Sequence, residues 1–137
     1  MYLLDTNILS ELIKKQPNPY LRSHLNSKPS NSLFTSSICV MELRFGSALR
    51  QDAEAFWLKI TQEILKRVRV ISIGFDEAVM AGDILASLQK RGQPIGIEDV
   101  LIASAALAHH LTLITANIRH FSRIENLIIE NWLNHLG

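Results

Sequence analysis

Along this chain, short apolar runs alternate with longer stretches in which apolar residues recur every three or four positions. Runs with strand character sit at Met1 to Leu4, Leu33 to Thr35, Val68 to Ile73, Thr112 to Thr115 and Leu127 to Ile129. Between them the spacing predicts helices over Ile8 to Lys15, Pro19 to Asn26, Ser37 to Arg50, Asp52 to Arg67, Asp76 to Arg91 and Glu98 to His110. Brief strands alternating with helices predict an α/β fold, a central and mainly parallel sheet of four or five strands flanked by helices. No internal repeat interrupts the pattern. A single domain spanning residues 1–137 is expected, since that length suits one ordinary core.

In open α/β sheets, ligands bind outside the carboxyl ends of the strands. The positions to examine are therefore Asp5, Thr6 and Asn7 after the first run, Thr35 to Ser37 after the second, and Asn117 after Thr112 to Ala116. The turn from Pro94 leads to Asp99 at the start of a helix. Asp5 also fits a helix cap, as do Thr6 and Asn7, with Asn7 placed to cap a helix beginning at Ile8. In the Ser37 to Arg50 helix, Ile38, Met41, Phe45 and Leu49 form an apolar stripe, and at 100° per residue Glu42 projects into that sector. A snorkelling carboxylate, or one paired with Arg44 or Arg50, accounts for Glu42 equally well. Asp99 opens a helix apolar on every side, where its first turn enters the protein and a lone carboxylate is costly. The helix dipole alone would also favour an acid there. Asp83 falls opposite the apolar face of Ala81, Ile84, Leu85 and Leu88, so it is expected in solvent.

Gathered at one sheet edge, Asp5, Glu42 and Asp99 would repel strongly. Two carboxylates about 4 Å apart repel by roughly 4 kcal/mol at an effective dielectric near 20. Such a set protonates, separates or recruits a cation. Oxygen ligands suit Mg²⁺ or Mn²⁺; no Cys/His set matches zinc, and the one cysteine, Cys39, can form neither an internal disulfide nor a zinc cluster by itself. A hard cation in a carboxylate cup is apparatus for phosphoryl chemistry.

Composition narrows the field further. Hydrophobic residues at 47% and charged residues at 20% exclude intrinsic disorder. Fourteen Lys and Arg against thirteen Asp and Glu leave a net charge of +1, so nucleic acid would have to be met by local patches. The longest nearly unbroken apolar run, Val100 to Ala108, is too short to cross a membrane, and with one cysteine and no signal segment the expectation is a cytoplasmic protein.

Leu-Leu-Asp5-Thr6-Asn7, Glu42-Leu-Arg-Phe-Gly46, Ile95-Gly-Ile-Glu-Asp99-Val-Leu-Ile-Ala and Leu113-Ile-Thr115-Ala-Asn117-Ile-Arg-His120-Phe121 together resemble the bacterial PIN-domain proteins, and among them the VapC-type toxins of type II toxin–antitoxin pairs. The likeness runs from Met1 to Trp132 with all four motifs in order. It implies a PIN-like fold and an Mg²⁺-dependent ribonuclease. The family's acidic positions fall on Asp5, Glu42 and Asp99, and its fourth position falls on Asn117, a neutral ligand. Thr6 and Thr115 match supporting hydroxyl positions. The resemblance further implies a homodimer silenced by a small VapB-like antitoxin that places a basic side chain in the acidic pocket. The corresponding mechanism is attack of a metal-activated water on an RNA phosphodiester, with Asp5 and Asp99 binding the ion and Glu42 completing the cup.

Arg119, His120 and Arg123 follow Asn117 directly and are the candidates for phosphate contact, although a solvated loop with Phe121 plugged into the core explains the same residues. Lys66, Arg67 and Arg69 read as a solvated helix end. Trp57 and Trp132 read as core or interface anchors, and Phe45, Phe56 and Trp57 suit an interface. His109 and His110 end a buried helix without metal-ligand spacing, and Ser10, Ser36 and Ser37 lack a paired His for a serine hydrolase. Without Gly-x-Gly-x-x-Gly or Gly-Lys-Ser/Thr, Rossmann and P-loop nucleotide enzymes are excluded. The late strand carries no following Lys, which speaks against a phosphoacceptor receiver domain. The remaining alternative is a PIN-like scaffold that binds RNA or protein without cutting.

Overall fold

The computed structural model describes residues 1–134. Five short strands form one wholly parallel sheet: β1 (Tyr2–Leu4), β2 (Leu33–Ser36), β3 (Arg69–Ile71), β4 (Thr112–Ile114) and β5 (Ile129–Glu130), in the spatial order β3-β2-β1-β4-β5. Parallel pairing demands crossovers, and helices supply them: α1 (Thr6–Leu12), α2 (Pro19–Asn26), α3 (Ser37–Ala48), α4 (Ala53–Glu63), α5 (Phe75–Lys90), α6 (Ile97–Ala108) and α7 (Ile118–Phe121). The central strands β1 and β4 carry Leu3, Leu4, Leu113 and Ile114, all fully buried. Their continuous apolar character is what a sheet covered on both faces requires.

β1 sits in the middle, with the chain running outward through β2 and β3 on one side and later through β4 and β5 on the other. Connections therefore diverge beside β1, and the crevice they leave lies at the carboxyl ends of β1 and β4. Asp5 and Thr115 are the first residues past those two strands.

Local chemistry sets the helix starts. Asn18 caps α2, accepting from the backbone N–H groups of Tyr20 and Leu21, with Pro19 opening the helix. Ser36 caps α3 through the Cys39 N–H. Asp5, not Asn7, caps α1, which begins at Thr6 and ends at Leu12. α4 stops at Glu63 and gives way to a 3₁₀ turn, Leu65–Arg67, where one continuous helix was expected. The loop after Asn117 contains the short helix α7, whose Phe121 is fully buried. Phe121 does plug the core, while Arg119 before it is exposed. Trp132 is likewise fully buried, stacked on His24 at 5.0 Å between ring centroids.

α6 is buried as its all-round apolar sequence predicts, through Val100, Ile102, Ala103, Ala105 and Ala106. α3 differs from expectation. Its buried residues are Cys39, Leu43 and Ser47, whereas Met41, Phe45 and Leu49 are 50, 66 and 73% exposed. Cys39, Leu43 and Ser47 meet the protein with Ile38 half-buried beside them, and Met41, Phe45 and Leu49 point outward. Phe56 and Trp57 are half-buried against the core. Among the described residues no helix is long and apolar enough to cross a membrane.

Candidate active site

The site begins with β1, which delivers Asp5 to the sheet edge almost fully buried. The Asp5 N–H donates to the Ile114 carbonyl at 2.9 Å, tying the turn to β4. Its Oδ1 accepts from the Thr6 N–H at 2.8 Å, the cap of α1. Its Oδ2 accepts from the Thr115 hydroxyl at 2.7 Å and from the Asn7 side-chain amide at 3.3 Å. Cap and acidic site are thus the same carboxylate. Thr115 in turn accepts the Asn117 N–H at 3.0 Å, and Asn7 accepts the Ala116 N–H at 3.1 Å, so the loop after β4 is stitched to the loop after β1.

α3 brings in Glu42. Arg44 and Arg50, its expected partners, pair instead with Glu54 and Asp52. Glu42 accepts the Thr6 hydroxyl at 2.5 Å. Its position is the seam of α3: rotation of 100° per residue sets it between the buried Cys39–Leu43 face and the exposed Met41–Phe45–Leu49 stripe. One carboxylate oxygen each from Asp5 and Glu42, together with the Cys39 sulfur, lie within 4.8 Å of one another. Sequence reasoning missed Cys39 as a neighbour of these acids. Its spacing, three residues before Glu42 and three after the Ser36 cap, carries the signal in retrospect.

Asp99, in the first turn of α6, stands outside that tight group but acts on Asp5 through its charge. It is held by His120, whose Nδ1 lies 3.2 Å from Asp99 Oδ2 and 2.9 Å from the Asn117 amide nitrogen. With its proton on Nδ1 the imidazole donates to Asp99; without it, Nδ1 accepts from Asn117. His120 therefore belongs to the acidic pocket itself. Arg119 is exposed beside it. Arg123 donates to the Pro94 carbonyl at 3.1 Å, bracing the turn that precedes Asp99. Asp83 faces solvent, as expected, and so does Glu98. His109 pairs with Glu77 at 2.9 Å, away from the site.

Burial pushes the Asp5 carboxyl up to about 6, with the charges of Asp99 and Glu42 adding to the rise and the bonds from Thr115 and Thr6 opposing it. Burial, then the Asp5 charge, likewise raises the Cys39 thiol. No Lys or Arg pairs with Asp5 or Glu42 among the described residues. Two carboxylates at this separation repel by about 3 kcal/mol or more at an effective dielectric near 20. A hard divalent cation satisfies what the protein leaves unbalanced: the open lone pairs are oxygen donors, and the only sulfur is held as a neutral thiol. The residues present fit such an ion.

Comparison with known proteins agrees with this arrangement. Residues 2–127 match the family described as PIN domain. Ribonuclease VapC2 of Rickettsia felis is 36% identical over 132 residues, 96% of this chain and 98% of that protein. The tRNA(fMet)-specific endonuclease VapC of Salmonella typhimurium is 34% identical over 131 residues, 96% of this chain and 97% of its own length. The crystal structure of VapBC2 from Rickettsia felis, bound to a DNA fragment from its promoter, superimposes with a TM-score of 0.84 at 36% identity, covering 96% of this chain and 98% of that one. With a matching sheet, a matching length and a carboxylate pair where the crevice falls, this chain belongs to the PIN-domain family and, within it, to the VapC ribonucleases.

Proposed function

We propose that this chain is the toxin of a type II toxin–antitoxin pair, acting in the cytoplasm as an Mg²⁺-dependent endoribonuclease, with Mn²⁺ able to substitute. The observation that carries the reading is the Asp5–Glu42 carboxylate pair, Asp5 buried and Glu42 half-buried beside the carboxyl end of β1, with no cationic side chain among the described residues to balance it. Asp5, Glu42 and Asp99 hold the ion, and Asn117 contributes a neutral oxygen at the rim. When bound, Mg²⁺ lowers the pKa of a coordinated water and offsets charge growing on the phosphate.

The chain's own residues do the rest. Thr115 and the Thr6 N–H fix the orientation of Asp5, so that its remaining lone pairs face the pocket. The Thr6 hydroxyl steadies Glu42 while that carboxylate receives the proton of the attacking water. His120 balances Asp99 before substrate arrives; released from it, the imidazole and the exposed Arg119 are placed to contact RNA phosphates, with Arg123 at the rim. A small VapB-like antitoxin silences the enzyme by setting a basic side chain against the same acids. The exposed Met41, Phe45 and Leu49 stripe supports assembly into a homodimer.

The test is cleavage of a mixed RNA pool by purified protein with Mg²⁺, with EDTA, and by Asp5→Asn prepared identically. Cleavage that needs the metal, vanishes in the variant and leaves 5′-phosphate and 3′-hydroxyl ends is expected. A 2′,3′-cyclic phosphate product would make the RNA 2′-hydroxyl the nucleophile and overturn the hydrolytic scheme.

A further inference from the structure

Two arginines beside the acidic pocket hold each other's backbone rather than a carboxylate. Arg91, exposed at the end of α5, donates through Nη2 to the Arg123 carbonyl at 2.6 Å and through Nη1 to the Gln93 side-chain oxygen at 3.4 Å. Arg123, half-buried after α7, donates back to the Pro94 carbonyl at 3.1 Å. Its N–H meets the His120 carbonyl at 3.3 Å, and the His120 ring touches Asp99, so the pair is fastened to the edge of the pocket. The turn that carries Arg91 is itself closed: Gly92 takes the left-handed conformation at φ 66°, and the Gln93 N–H reaches the Leu88 carbonyl at 2.9 Å. Arg44, Arg50 and Lys14 each have an acid beside them, whereas among the described residues no carboxylate pairs with Arg91 or Arg123. Both guanidiniums therefore keep their charge and most of their N–H donors for an anion.

A groove of about 390 Å³ opens from Arg91 along α5. Met80, Ile84 and Ile124 give it apolar surface, and the exposed Asp83 and Glu125 stand on it as acids. That composition suits a nucleobase and not a second phosphate. Apolar side chains take the face of a ring, and carboxylates accept from an exocyclic amine. We infer that Arg91 and Arg123 clamp one phosphodiester of single-stranded RNA beside the acidic pocket, with the base of that nucleotide laid in the groove along α5. Planar guanidiniums already held by carbonyls need little reordering to meet two phosphate oxygens. The clamped phosphate and the cut phosphate are different ones, and the clamp fixes how the strand crosses the acids. The identity of the anion as RNA rests on the nuclease reading above, but the binding test needs no cleavage.

The test titrates short labelled RNAs with the purified full chain in EDTA, where nothing is cut, and reads fluorescence anisotropy. Arg91→Ala and Arg123→Ala are each expected to raise Kd about tenfold. The double variant should reduce the slope of log Kd against log salt by about 0.7, the loss of one phosphate contact. Arg91→Lys should keep that slope and recover only part of the affinity, since a point charge replaces a planar donor set. Arg67→Ala, on the exposed turn before β3, should stay within about twofold. On the unaltered chain, oligocytidylate should bind about fivefold more tightly than oligouridylate of equal length, because only cytosine offers an amine to Asp83 and Glu125. Arginine variants that leave Kd unchanged, or an equal loss in Arg67→Ala, overturn the clamp. Equal binding of the two oligonucleotides overturns the base site. Inorganic phosphate is the other source of the same chemistry. If it displaces RNA more than chloride of equal ionic strength does, the pair is a free-phosphate site and the inference fails. Should Arg91→Ala not fold, Arg91→Gln replaces it, and the oligonucleotide and phosphate comparisons need no variant. A chain that holds RNA through this pair yet cuts none would sink the nuclease reading and leave the clamp standing.

Discussion

Asp5 does two things that usually fall to different residues: it caps α1 through Oδ1, and the same carboxylate, held at Oδ2 by Thr115 and Asn7, stands beside Glu42 in the pocket. Burial makes its charge costly, and the sign of the consequence follows. With a folded value near 6 against 3.8, the protonated form is favoured in the native state. The contribution of Asp5 is therefore best for the fold below pH 3.8, declines as pH rises toward 6, and stays unfavourable above. The full difference is about 3 kcal/mol. In EDTA, Asp5→Asn is expected to stabilise the chain by about 1–3 kcal/mol at pH 7.5 and by almost nothing at pH 3.5, measured by urea unfolding at both. Mg²⁺ should raise the wild-type midpoint more at pH 7.5 than at pH 5, because protons compete for the same oxygen. Thr115→Val tests the other side of this balance. It removes the donor that holds the Asp5 carboxyl down. We expect a loss of about 1–2 kcal/mol, with the acid limb of the cleavage–pH profile moved to higher pH. An unmoved acid limb would mean that Asp5 does not govern it.

Among the helices, α2 obeys its local signals most closely: its start at Pro19 and its end at Asn26 coincide with expectation, and Asn18 supplies the cap. Asn18 also donates to the Leu133 carbonyl at 3.2 Å, fastening the segment after β5 to the start of α2. Asn18→Ala should cost about 1 kcal/mol in thermal or urea unfolding without altering cleavage. α3 shows why other features were not legible. Hydrophobicity says that Met41, Phe45 and Leu49 share a face, but not whether this chain or another covers it. The inward face holds one large apolar residue, Leu43, between Cys39 and Ser47, too little for hydrophobic spacing to announce. Glu42 sits at the boundary of that inward face, so the outward apolar stripe that singles it out in the sequence is not the face that positions it. Asp5, Asp99, Thr115 and Asn117 were readable because strand ends and helix starts position them through the backbone. The His120–Asp99 contact joins side chains 21 residues apart, and nothing local encodes it. The strand expected at Leu127 to Ile129 forms two residues later than it begins there, at Ile129–Glu130, since pairing with β4 rather than apolar content sets the limits of so short an edge strand.

The molecule as a whole presents a closed core and, along α3 and its end, an outward apolar stripe. Phe45→Glu should leave the stability of the monomer within about 0.5 kcal/mol, because the side chain is two-thirds exposed, while breaking self-association seen by sedimentation. A variant that still sediments as a dimer would move the interface elsewhere. The placement of β1 has a consequence in time. Its residues are synthesised before those of the other four strands, yet the strand is completed on its far side by β4, and Asp5 meets its Thr115 partner across 110 positions. At about 5–20 residues per second, roughly 5–20 s of translation separate the two. A nascent chain therefore carries Asp5 for that interval without its Thr115 partner. The pocket can assemble only once β4 and the loop after it have followed β1 out of the ribosome, so any cleavage activity lags the appearance of the first acidic residue by the same interval.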